Sequence, residues 1–347
     1  MKDKFGKSSL NIIKVKKDFF DNNDIWLKEN SKILKFYSKQ PKRTRCKNCN
    51  EKLNYDKFFI KEKIKYVICA NCGHLNGIYE DTKEFCDYLY SDNKGIMYSK
   101  SYYEKNKKAY MLRTKEIYIP KAKFLLSSLK KQTVNIKKLN FADIGSGSGY
   151  FVNALLGLGI KKLIGYDVSK TQVVLANKML GKEILKSHNL KDINQIILNI
   201  DADVISLIGV LEHMQYPAEF LKSVKKNKKI KYLYISVPTF SLSVFFEMVF
   251  PKIMQRQLSG DHTHLYTKES LDWFIKNYKF KKIKAWWFGS DMMDLHRNMA
   301  LTLFNNQNTN KVSEVWEKNF LKCLDNLQII IDKNYLASEV HILLKTR

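Results

Sequence analysis

The chain has 347 residues, 45% of them hydrophobic and 13% aromatic, and carries a formal net charge of +27. That length exceeds what one hydrophobic core usually organises, so a large domain with a smaller appendage is expected, and the apolar fraction excludes a wholly disordered chain. No apolar stretch approaches the roughly 20 residues needed to cross a bilayer, and no signal core opens the sequence, so the expected setting is cytoplasmic. Only six of the 61 cationic residues are Arg. Arg is the side chain suited to bidentate phosphate recognition, so the lysine excess reads first as a solvated surface that would draw an anionic small molecule; RNA is the second reading.

From the N-terminus, the first motif is a pair of CxxC units, Cys46/Cys49 and Cys69/Cys72, with 19 residues between them. Each unit can present two thiolates from one turn, and four thiolates close a tetrahedron, which suits a structural zinc rather than a catalytic one. Residues 55–68 are rich in Phe, Ile, Tyr and Val, as a small hairpin requires. Residues 1–90 therefore read as an N-terminal region with a zinc ribbon at about 42–80, and the basic stretch 42–45 lies beside it. Cys86 and Cys323 stand alone and read as ordinary packing residues. Residues 91–137, with Tyr110, Ile117, Phe124 and Leu125 at helical spacing, read as a helical connector.

From residue 138 the pattern alternates between strand and helix. Residues 138–144 read as a buried strand, followed by the glycine loop 145–149 and a helix at 150–158. Residues 163–168 form a second strand ending near Asp167, and 171–180 a second helix; 204–208 and 232–237 are further apolar strands. This is the rhythm of an open parallel sheet, whose ligands sit where the carboxyl ends of strands meet helix N-termini. A dinucleotide fingerprint would place a third glycine where Tyr150 stands. Asp143 instead precedes Gly145 by two residues, and Asp167, 22 residues after Gly145, can accept bonds from ribose hydroxyls.

The run from Phe141 to Gly149 resembles the first motif of the class I S-adenosylmethionine-dependent methyltransferases, and the run from Ile164 to Val168 their ribose-binding strand. The run from Asp203 to His213, ending Leu-Glu-His, is similar to their fourth strand and turn. The resemblance covers about residues 138–347. It implies a Rossmann-like, seven-stranded, mostly parallel sheet with an antiparallel last strand at 338–345, and helical insertions at 240–258 and 291–336. It implies S-adenosylmethionine held by Asp143, Gly145, Ser146, Gly147, Gly149, Asp167, Val168, Asn189 and Gly209. His213 would be the general base, with Glu212 orienting it and His262 or His264 facing the acceptor; Asp291 and Asp294 would meet substrate hydroxyls or Mg2+. With the cysteine motif in front, the chain looks most like sugar methyltransferases of glycan and deoxysugar pathways. The acceptor expected is thus a sugar hydroxyl on an anionic precursor, the alternative being an RNA docked on the ribbon and basic surface.

Overall fold

The computed structural model describes residues 2–9, 15, 22–90, 106–133 and 135–347. Its strands in chain order are β1 (Lys4–Phe5), β2 (Phe58–Lys61), β3 (Ile64–Ile68), β4 (Leu75–Gly77), β5 (Phe141–Ile144), β6 (Leu163–Asp167), β7 (Leu185–Ser187), β8 (Val204–Ile208), β9 (Tyr232–Pro238), β10 (His264–Leu265), β11 (Lys281–Phe288) and β12 (Glu339–Lys345). The main sheet has the order β1-β11-β12-β9-β8-β5-β6-β7. Neighbours from β9 to β7 are parallel, whereas β12 runs antiparallel to both β9 and β11. Helices cover both faces. That is why β5 and β9 are buried along their whole length and read as unbroken apolar runs instead of alternating ones.

Local chemistry fixes the helix ends. The helix Lys170–Leu180 begins at Ser169, whose hydroxyl accepts the Gln172 amide, and stops at Gly181 in the left-handed region. The helix Lys268–Asn277 is closed by a reciprocal pair of Thr267 and Ser270. The winding of the sheet reverses between β5 and β8, which opens a crevice at their carboxyl ends.

Several expectations need correction. The sheet has eight strands, not seven: β1 pairs parallel with β11 at the edge, and the Gly6 amide donates to the Trp287 carbonyl. The first buried strand starts at Phe141, because Ile136–Lys138 forms a 3-10 turn instead. The cysteine-bearing hairpin is not a separate module. Its sheet, β10-β4-β3-β2, takes its last strand from the catalytic half, and the cysteines pack on Trp273. A buried ion cluster ties the same seam: Asp81 accepts from Arg43 at 3.0 Å, from Lys47 and from the Thr263 hydroxyl. Arg43, part of the basic stretch beside the cysteines, is therefore a buried joint, not a docking cation.

Of the connector, 91–105 and 134 lie outside the described residues; the described part includes the helix Lys107–Arg113, a π turn and the helix Ile119–Leu129. Of the two insertion segments, the first holds the helix Leu242–Val249 and the second Asp291–Phe304, Ser313–Phe320 and Leu324–Lys333. Among the described residues, no helix is long and apolar enough to cross a membrane.

Candidate active site

The crevice is a cavity of about 630 Å³ running from the glycine loop to His262, Arg256 and Tyr90. Asp143, Gly145, Ser146, Gly147, Asp167, Val168, Gly209, Glu212 and His213 all line it. The loop needs its glycines: Gly145 has φ +66, and a Cβ there would lie 2.5 Å from Val210 Cγ2. Asp167 holds the loop from the next strand, accepting from the Gly147 amide at 2.6 Å and from the Ser169 amide at 2.9 Å. Asp143 accepts from the Ser206 hydroxyl at 2.6 Å. Burial pushes its carboxyl up to about 7, and the neighbouring Asp167 adds to that, against the Ser206 bond.

At the other end of the cavity, the turn Leu211–His213 after β8 presents Glu212 and His213. His213 Nδ1 lies 2.7 Å from the Tyr90 hydroxyl, and the ring stacks on His262 with centroids 5.1 Å apart. It also bonds the Asp261 main chain. Burial, and the field of His262, lower the His213 imidazole to about 3, so it is neutral from about pH 4 upward. An imidazole so held stays neutral through the range near pH 6.5 in which an ordinary histidine base would titrate. Glu212 Oε1 lies 3.9 Å from His213 Nε2, while Glu212 Oε2 is buried without a hydrogen-bond partner. Burial raises its carboxyl to about 8.

Other residues named from the sequence fall elsewhere. His264 lies in β10, outside the cavity lining, and its Nδ1 faces His74 Nε2 at 2.8 Å. Residues two apart would share a face in an unbroken strand, but β10 begins only at His264, and its pairing with β4 carries that side chain to His74 and away from the face that His262 shows the cavity. Asn189 precedes the turn Leu190–Asp192, its side-chain amide donating to the Asp192 carboxylate, which leaves His188 in the cavity wall, and Gly149 begins the helix Tyr150–Gly157 behind the lining. Asp291 and Asp294 are structural. Asp291 accepts from Ser243, Gln328 and the Ser338 amide; Asp294 accepts from Ser243 and Arg256. Tyr90 and Arg256 were missed, since neither sits in a motif and only the fold brings them to the crevice.

The four cysteines converge as their spacing requires. Cys46 and Cys72 sulfurs are 3.7 Å apart, and Cys49 and Cys69 sulfurs 3.6 Å. Four thiolates about 2.3 Å from one tetrahedral ion would be about 3.8 Å apart, so the donor set fits such an ion with little adjustment. Asn76 and Asn48 amides donate to the Cys46 and Cys72 sulfurs at 3.5 and 3.6 Å, as partners of bound thiolates do.

Residues 116–285 match a family model described as a methyltransferase domain. Over 108 residues the chain is 34% identical to the tRNA U34 carboxymethyltransferase of Helicobacter acinonychis, a match spanning 29% of this chain and 41% of that one. The Campylobacter hominis protein of the same name is 30% identical over 112 residues, 30% of this chain and 37% of its own. The chain thus spans well under half the length of these curated relatives. Among solved structures, a SAM-dependent methyltransferase from Archaeoglobus fulgidus aligns with 65% of this chain and 94% of its own at 18% identity, with a TM-score of 0.37. The relatives' name overturns the expectation of a small anionic sugar as acceptor.

Proposed function

We propose, from the class I S-adenosylmethionine-dependent methyltransferase domain that this chain carries, that it methylates RNA, with tRNA as the first substrate class to test. The observation behind this reading is the tRNA-modifying name shared by curated relatives at 30–34% identity. The charge supports it. RNA binding draws on counterion release by surface cations, and a net +27 supplies many. The cysteine hairpin exposes Lys42, Arg45, Lys52, Lys57 and Lys63 around Tyr55 and Phe58, whose rings are also exposed. Cations interleaved with exposed rings suit a single-stranded loop, where bases stack and phosphates pair. We assign the four cysteines to a structural zinc that holds this hairpin against the catalytic domain.

Bound in the crevice, S-adenosylmethionine supplies an electrophilic methyl carbon, and the chain's task is to align an acceptor with it and exclude water. Asp167 would accept the ribose hydroxyls, and the amides of the Gly145–Gly147 turn would meet the charged end of the donor. His213, held neutral by burial, and His262 stacked on it form the polar wall opposite, and His213 would orient the acceptor and take its proton. Fluorescence anisotropy with an unmodified tRNA transcript tests the docking claim. Affinity should fall steeply with salt, and Lys52, Lys57 and Lys63 changed together to Glu should weaken binding at least tenfold. RNA affinity unchanged by both would refute it.

A further inference from the structure

The Glu212, His213 and His262 cluster has features that proton transfer alone does not require. One ligand atom from each, a carboxylate oxygen and two ring nitrogens, lies within 4.8 Å of the others. Donors about 2.1 Å from one tetrahedral ion are about 3.4 Å apart, so seating a divalent cation would draw Glu212 Oε1 and His213 Nε2, now 3.9 Å apart, together by about half an ångström and the widest pair by up to about 1.4 Å. Glu212 is 4% exposed, and its Oε2 has no hydrogen-bond partner. A buried oxygen in that state lacks the partner that burial demands, and a bound cation would supply one while drawing the carboxyl into its ionised form. The two imidazoles are already oriented from behind. His262 Nδ1 donates to the Gln257 carbonyl at 2.9 Å, which leaves the Nε2 lone pair for a ligand. His213 Nδ1 is engaged at Tyr90, so Nε2 is the nitrogen turned towards Glu212. Metal-bound histidines are held through the distal nitrogen in the same manner.

We propose that Glu212, His213 and His262 form a second metal site, distinct from the four cysteines, that binds a divalent first-row ion at the acceptor end of the cavity. Two nitrogens and one carboxylate favour an ion of the Mn2+ to Zn2+ series over Ca2+ or Mg2+. Three protein ligands also leave positions open towards the crevice, where an acceptor oxygen could bind and be polarised. Lys121, the cation whose field reaches Glu212, already pairs with Glu339 at 2.7 Å, and Arg256 in the same wall pairs with Asp294.

The test uses the full chain, with the cysteine site loaded with zinc, titrated separately with Mn2+ and with Co2+. Binding is followed by loss of the free Mn2+ paramagnetic signal and by the visible bands of bound Co2+. The expected result is one further ion per chain, with nitrogen and oxygen ligation and no sulfur-to-metal absorption. Glu212→Gln and His262→Ala should each abolish it while the zinc content stays at one. Tyr90→Phe, which loosens His213, should weaken it about tenfold. A wild-type chain that takes up neither ion beyond the zinc would overturn the proposal, and so would uptake that survives in both variants. If one variant fails to retain zinc and melt cooperatively, the other decides.

Discussion

Asp81→Asn tests whether the cysteine hairpin and the catalytic sheet are one folding unit. Asp81 sits where Arg43, Lys47 and Thr263 converge, and the Arg43 and Lys47 side chains are only 2% and 5% exposed. Burial alone would raise the Asp81 carboxyl, but Lys47 and Arg43 hold it well below its ordinary value. Asparagine keeps the shape but leaves buried Lys47 without its counter-charge and Arg43 with only the more exposed Glu80 at 3.2 Å, which costs about 3–5 kcal/mol. The exposed pair Lys268–Asp272, by contrast, should cost under about 0.5 kcal/mol when Lys268 is changed to Ala. Urea unfolding of the zinc-loaded chain, followed by circular dichroism, compares the two. The sign with pH is also fixed. A depressed folded pKa gives stability that is full above the unfolded value near 4 and lost as pH falls through the folded one, so the gap between wild type and Asp81→Asn should shrink below about pH 4. A loss of less than about 1 kcal/mol at pH 7 would refute the reasoning.

Asp143 gives the opposite pH behaviour. Its carboxyl is raised to about 7, so its contribution is full below about pH 4 and fades as pH rises towards 7; Asp143→Asn should therefore gain up to about 4 kcal/mol relative to wild type between pH 4 and 8, read from urea midpoints. Asp167→Asn should weaken S-adenosylmethionine about 10- to 150-fold by calorimetry, the worth of hydrogen bonds to a charged acceptor, whereas an unchanged affinity would take the ribose contact away from Asp167. Cys46→Ser should lower bound zinc below one per chain and destabilise folding; a variant that loses the metal yet melts like wild type would contradict the structural role.

Much of the cofactor half was legible because its signals are local. A glycine loop after a buried strand, and an acid at the end of the next, are set by a few neighbouring residues, and Asp143, Gly145, Gly147 and Asp167 converge on one cavity accordingly. The CxxC spacing likewise brings four sulfurs together. What escaped depends on long-range pairing. His264 and His262 are two residues apart and look equivalent in sequence, yet β10 pairs with β4 and carries His264 to His74, while His262 stays beside His213. Asp291 and Asp294 look like free carboxylates at a helix start, but Ser243, Arg256 and Gln328 arrive from distant segments to bond them. The eighth strand is two residues long and leaves no periodic trace. Acceptor class was misjudged for a different reason: a chain-wide lysine excess carries no positional pattern, so charge alone could not separate a docking surface from a solvated one.

The central claim is methyl transfer to RNA. Incubating the full chain with S-adenosylmethionine labelled in its methyl group and a pool of unmodified tRNA transcripts, then splitting the product with ribonuclease and with protease, tests it most directly. The account predicts label that ribonuclease releases and protease does not, lost in Asp167→Asn. Label absent from the RNA but incorporated into added sugar nucleotides or protein would contradict it.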